Sequence, residues 1–132
     1  QGYGIDKGYN SHGEARPGQY GKWFSNSKGM EGSCNNLDKV VTEFGAQGLE
    51  LDFSLLAWGT DLIRLSNHWS NTFSSNYKEI DRIKDPLALR INSYRVLLTR
   101  GREGMVIYIP PISEKMRETY GFMRDCGFKE LK

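Results

Sequence analysis

A chain of 132 residues, 38% hydrophobic and 26% charged, can bury one core and not two, which excludes a multidomain enzyme. Its longest uninterrupted apolar run, Met105 to Ile109, is five residues, far short of the roughly 20 that cross a bilayer, so a soluble, cytoplasmic protein without a membrane partner is expected. The formal charge of +2 divides unevenly: residues 1 to 85 carry 9 Lys+Arg against 11 Asp+Glu, and residues 86 to 132 carry 9 against 5. An anion site is therefore expected in the last third, the alternative being ordinary solvated surface charge. Cys34 and Cys126 lie 92 positions apart, and neither His12 nor His68 has a Cys or His at metal-ligand spacing. No zinc site is expected, and reduced thiols fit better than a disulfide framework. The chain opens on Gln1 with no signal-peptide pattern, so a piece of a longer polypeptide is expected.

Residues 1 to 36 hold 8 of the 15 glycines, with Pro17 and many Asn and Ser. Such a composition has a high backbone entropy cost and little apolar area, so a loop-rich segment is expected, pinned by Tyr20, Trp23 and Phe24. A Gly/Tyr-rich nucleic-acid-binding tail is the other reading. Gly13 and Gly18 have the spacing that opens a P-loop, but Gln19 and Tyr20 stand where Lys and Ser/Thr must hold phosphate and magnesium.

From Leu37 the pattern changes. Lys39 to Phe44 is a short β-branched run that predicts a strand, Gly45 to Gly48 a turn, and Leu49 to Trp58 a second strand. A short link between two such runs suggests parallel neighbours buried on both faces. Residues 59 to 85 are polar and irregular. Trp69, Phe73 and Tyr77, spaced by four, allow a helical stripe, but the Ser and Asn density favours a hairpin or long loop whose aromatics cover the sheet edge.

Asp85-Pro86 is a helix start, with Asp as N-cap and Pro in the first turn. Leu87, Ile91, Tyr94 and Leu98 then make one apolar face, Asn92, Arg95, Thr99 and Arg102 share another, and Gly101 is the expected stop. A strand from Met105 to Ile109 follows, closed by Pro110-Pro111. A last helix, Ser113 to about Asp125, carries Met116, Tyr120 and Met123 inward before Gly127 ends it. This order predicts an α/β fold over residues 37–132 with a small parallel sheet flanked by helices, residues 1–36 packing on it as an irregular segment.

Two segments carry the chemistry. In Val41-Thr42-Glu43-Phe44-Gly45-Ala46-Gln47-Gly48-Leu49-Glu50-Leu51-Asp52 a Gly-flanked turn exposes backbone amides and sets the Glu50 carboxylate just after it, where it can accept sugar hydroxyls or stand as plain surface charge. In Asn92 to Arg102 three arginines, Arg95, Arg100 and Arg102, surround the end of one helix. There they complement the helix dipole, or converge on a polyphosphate whose oxygens match the guanidinium fork.

These segments resemble motifs V and VI of superfamily 1 DNA/RNA helicases, in whose second RecA-like domain a strand leads into a QGLE or KGLE turn and a later helix ends in a VALTRAR-like string. Gly48-Leu49-Glu50 and Leu98-Thr99-Arg100-Gly101-Arg102 match in type, order and context, with Gly101 where many relatives have Ala. The longer strings TEFGAQGLELD and NSYRVLLTRGREGMVIYIP, with Ser33-Cys34 upstream, resemble more closely a helicase-like ATPase family related to the Schlafen helicase domain. The resemblance implies a RecA-like fold and a hydrolase site shared between two domains. The first, absent here with its P-loop and its Asp-Glu magnesium pair, would hold ATP and Mg²⁺. The second would supply Arg100 as arginine finger. Glu50 would then meet the ribose, Gln47 and Gly48 the nucleotide edge, and Arg102 would join the nucleotide-binding set. Thr42 and Glu43 would touch the backbone of DNA or RNA, single-stranded for preference. The other partner implied is the N-terminal RecA-like domain of the same polypeptide, and the fragment alone would not hydrolyse ATP. A different class of function, a stand-alone nucleic-acid- or anion-binding α/β module without ATPase activity, is the alternative.

Overall fold

The computed structural model describes residues 17–74, 84–111 and 114–132. In chain order it holds helix α1 (Tyr20–Ser25), strands β1 (Leu51–Ala57), β2 (Ile63–Leu65) and β3 (His68–Ser70), helix α2 (Pro86–Leu98), strand β4 (Gly101–Tyr108) and helix α3 (Arg117–Asp125). Short 3-10 turns cover Pro17–Gln19, Cys34–Asn36 and Glu114–Met116. β1 and β4 pair in parallel, and β2 and β3 pair antiparallel. The architecture is mixed α/β with a small parallel sheet, as its alternation of strands and helices predicts.

The parallel pair is not the expected one. Leu51 opposes Gly101, and Ser54 to Ala57 run in register with Met105 to Tyr108, so the neighbour of β1 is β4 and not residues 39 to 44. The predicted strand Lys39–Phe44 does not form. Val40 makes a lone bridge, and residues 43–48 are turn. Thr42 explains the difference: its carbonyl accepts from the Ala46 amide at 2.9 Å and its hydroxyl from the Gly45 amide at 3.4 Å, a local arrangement that competes with a strand ladder. The Gly45–Gly48 turn does form, with Gly48 at φ +78°, where L side chains are strained.

Nor is the sheet buried on both faces. Leu56 and Ile107, adjacent in register, belong to the core, whereas Phe53 and Leu55 on the opposite face are 66% and 62% exposed. β4 also starts four residues earlier than predicted, at Gly101. Gly101 is therefore no left-handed helix stop. The register shifts between Leu51 and Phe53, and a Cβ on Gly101 would lie 2.1 Å from the Gly104 carbonyl oxygen, so the bulge requires a residue without one. Arg102 accordingly sits on β4 and not on the helix face expected of it.

Helix α2 begins as read: the Asp85 carboxylate accepts from the Ala88 amide at 2.9 Å and Pro86 takes the first turn. Tyr94 is buried, and Leu87, Ile91 and Leu98 pack on a core of Leu56, Trp58, Leu62, Ile63, Tyr94, Met116 and Met123. Within residues 59–74 the hairpin reading holds for β2 and β3, whose connecting Ser66 and Asn67 both have positive φ, the geometry that matches strand twist. Trp69 does not lie on a helical stripe. From β3 it stacks on Trp58 at 5.8 Å and meets the edge of Phe122 at 5.3 Å. Tyr77 lies outside the described residues.

Helix α3 begins at Arg117, and the expected start, Ser113, lies outside the described residues. Met116 and Met123 point inward, but Tyr120 is 37% exposed and donates to Glu130. The inward position is taken by Thr119, fully buried, whose hydroxyl accepts from the Arg64 amide at 2.9 Å. Gly127, at φ +100°, closes the helix as predicted, with its amide on the Arg124 carbonyl and that of Phe128 on Met123. Near the start of the described chain Trp23 is buried with its indole N–H on the Lys39 carbonyl at 3.3 Å, and the Tyr20 ring lies against Gly45. Phe24, expected to pin this segment too, is exposed.

Candidate functional site

Both chemistry-bearing segments reach one place because β4 returns beside β1. Residues Gln47 to Glu50 lead into β1, residues Thr99 and Arg100 lead into β4, and the parallel pairing sets the two lead-ins side by side. Arg100 joins them. Its Nε donates to the Val96 carbonyl at 2.9 Å and its Nη1 to the Leu49 carbonyl at 3.0 Å, while Nη2 reaches the Thr99 hydroxyl at 3.4 Å. Its own carbonyl accepts from the Leu51 amide at 2.9 Å. The guanidinium thus neutralises a helix-end carbonyl, as a cation at a C-terminus should, and reaches across to the turn as well.

Glu50 stands between those two anchored neighbours, exposed, and makes no hydrogen bond or ion pair with a described residue. Arg102 lies beyond the helix end and pairs with Asp52 at 3.1 Å, both side chains exposed, a pair worth about 0 to 1 kcal/mol in that setting. Arg95 donates to Asn92 at 3.3 Å on the exposed side of α2. The three arginines do not converge on one point: each has its own acceptor.

Thr42, Glu43 and Gln47 lie at the other end of the turn. Thr42 spends its hydroxyl on the turn itself. Glu43 and Gln47 line a shallow groove of about 140 Å³ against α2, with Phe44, Asn92, Ser93 and Val96. Phe44 is 61% exposed. The groove contains neither Glu50, Arg100 nor Arg102, so the expected site residues fall into two clusters on opposite sides of Gly48.

A further polar cluster escaped the sequence reading. The Tyr94 phenol donates to Asp61 at 2.6 Å and accepts from the Gly59 amide at 3.3 Å, and Arg90 pairs with Asp61 at 2.8 Å. Burial, and then the charge of Asp61, push the phenol well above its ordinary pKa, so it remains a neutral donor. The cluster ties the loop after β1 to α2. Its only sequence signal was a lone Asp after Gly59-Thr60, a pattern shared by ordinary turns.

Among the described residues no group of three or more His, Cys, Asp or Glu side chains can hold a metal ion, Cys34 and Cys126 are free thiols, and no helix is long and apolar enough to cross a membrane. Comparison with curated proteins and with solved structures gave no significant match. The family model described as "Schlafen group 3, DNA/RNA helicase domain" matches residues 5–111. The chain belongs to that helicase-like family.

Proposed function

We propose that this chain is the second RecA-like half of a superfamily 1 nucleic-acid-dependent ATPase, presenting the Gln47–Glu50 turn and the end of α2 to a triphosphate cradled by a separate P-loop domain. The observation that carries this reading is the junction made by Arg100. A carboxylate with no described partner and a guanidinium lie on adjacent lead-ins at the N-terminal ends of two parallel strands. The site fits a nucleotide in its chemistry: Glu50 offers acceptors for ribose hydroxyls, Gln47 and Gly48 an amide-rich edge, and Arg100 a planar fork for phosphate oxygens. Arg102, held by Asp52 only at the surface, can move toward phosphate at little cost.

When ATP and Mg²⁺ are bound by the P-loop domain, they supply the transferred phosphoryl group and the metal that neutralises its charge. This chain's contribution is positional and electrostatic. Glu50 holds the sugar, and Arg100 turns from the Leu49 carbonyl to stabilise charge growing on the phosphoryl oxygens. Residues Thr42 to Phe44 meet a single-stranded nucleic acid, with Glu43 and Thr42 near its backbone.

Glu50→Gln tests the nucleotide half of this reading. In the ATPase assembled with its P-loop domain it should weaken ATP binding by about 1 to 2 kcal/mol, the worth of one charge-assisted hydrogen bond, at an unchanged melting temperature. Titration calorimetry measures it, and unaltered affinity would return Glu50 to the role of surface charge.

A further inference from the structure

We propose that Arg100 is also the positioning residue for Glu50: its side chain helps set the direction in which the Glu50 side chain leaves the backbone before any triphosphate arrives. The inference rests on the nucleotide reading above and adds to it a second role for the same guanidinium. The peptide plane before Glu50 contains the Leu49 carbonyl and the plane after it contains the Leu51 amide. Both are bonded to Arg100, the first by Nη1 at 3.0 Å and the second by the Arg100 main-chain oxygen. Two peptide planes define the φ and ψ of the residue between them and hence the direction of its Cα–Cβ bond. Nothing else described holds the Glu50 side chain. Upstream, Gly48 at φ +78° gives the turn freedom that a residue with a Cβ would restrict, so the link from Arg100 to Leu49 compensates for a soft point two residues before the carboxylate.

The two roles separate in time. With no γ-phosphate to draw it away, the guanidinium stays on Leu49 and Val96, and the Glu50 Cα–Cβ bond stays aimed toward the ribose. Once a triphosphate is present the same fork exchanges backbone oxygens for phosphoryl oxygens. ADP therefore isolates the positioning role, since it offers the ribose without the group that a finger touches.

The experiment is ADP titration calorimetry on the ATPase assembled with its P-loop domain, for the parent protein, Arg100→Ala, Glu50→Gln and the double variant. Positioning predicts that Arg100→Ala weakens ADP binding about fivefold and that the double variant is no weaker than Glu50→Gln alone. Arg100→Lys should recover part of the ADP affinity, because an ammonium can still donate to one carbonyl, while recovering little turnover. Unchanged ADP affinity in Arg100→Ala, beside a weakened Glu50→Gln, would overturn the positioning role and leave the nucleotide reading intact. Unchanged affinity in Glu50→Gln itself would overturn the nucleotide reading and this inference with it.

Discussion

Arg100→Ala should lower ATP turnover by about 10³ or more in the ATPase assembled with its P-loop domain and saturated with single-stranded nucleic acid, the usual loss when an arginine finger is removed. That factor corresponds to about 4 kcal/mol of transition-state stabilisation. The stability cost is much smaller but exceeds that of an ordinary helix-end cation, about 0.3 to 1 kcal/mol. Two backbone carbonyls, of Val96 and Leu49, lose a charged donor, and about 1 to 2 kcal/mol is expected for a half-buried group of this kind. The fold should persist, because the Leu51 amide keeps the Arg100 carbonyl and the β1–β4 ladder is untouched. Steady-state ATPase with the melting temperature measured alongside checks both numbers. Near-normal turnover would remove the finger assignment, and unfolding would leave Arg100 a purely structural pin.

Trp58→Ala should destabilise the chain by about 3 to 5 kcal/mol, the range for deleting a large buried aromatic. Trp58 is 1% exposed and stands where β1 leaves the sheet. Its ring centroid lies 4.3 Å from that of Tyr94 and 5.8 Å from that of Trp69, joining α2 and the β2–β3 hairpin to the strand. Its indole N–H donates to the Leu62 carbonyl at 2.7 Å, so the substitution leaves both a cavity and a buried carbonyl short of its donor. Trp58→Phe keeps most of the volume and should lose less. Urea denaturation of the three proteins decides it, and a loss under about 1 kcal/mol for Trp58→Ala would mean that the core is organised around something else.

What the sequence made legible follows from how local each signal is. Asp85-Pro86 announces a helix start because N-cap and first turn are three residues apart, and the apolar spacing from Leu87 to Leu98 needs only one helix to express it. Gly127 is legible for the same reason. The partner of β1 was not, since Val40-Val41 has the β-branched character of a strand while the true partner begins 50 residues after Leu51. Strand propensity says that a segment can pair and is silent on where. Gly101 is ambiguous in sequence because a glycine after a helix looks the same whether it ends the helix or admits the Gly104 carbonyl to a bulge. The exposure of Tyr120 is hidden in sequence because it lies one position from the buried Thr119, and a small polar residue inside a core leaves no hydropathy signal.

The candidate site was legible in its residues and not in its wiring. Glu50 and Arg100 stand out as residue types beside a turn and a helix end. That Arg100 takes the carbonyls of Val96 and Leu49 as acceptors could not be read, since every residue carries that oxygen. The Asp61–Tyr94–Arg90 cluster was hidden for a related reason: its members are 33 and 29 positions apart in the chain, and each alone has an ordinary role.

On the function proposed above, this chain completes a nucleic-acid-dependent ATPase and is not a self-sufficient binding module. The measurement is ATP hydrolysis by the P-loop domain with and without this chain, each in the absence and presence of a single-stranded oligonucleotide. The P-loop domain alone and the chain alone should both be inactive, and together they should turn over ATP at a rate the oligonucleotide raises by about an order of magnitude or more. Hydrolysis by the P-loop domain at the same rate whether or not this chain is present, with the oligonucleotide bound by the chain all the same, would contradict it.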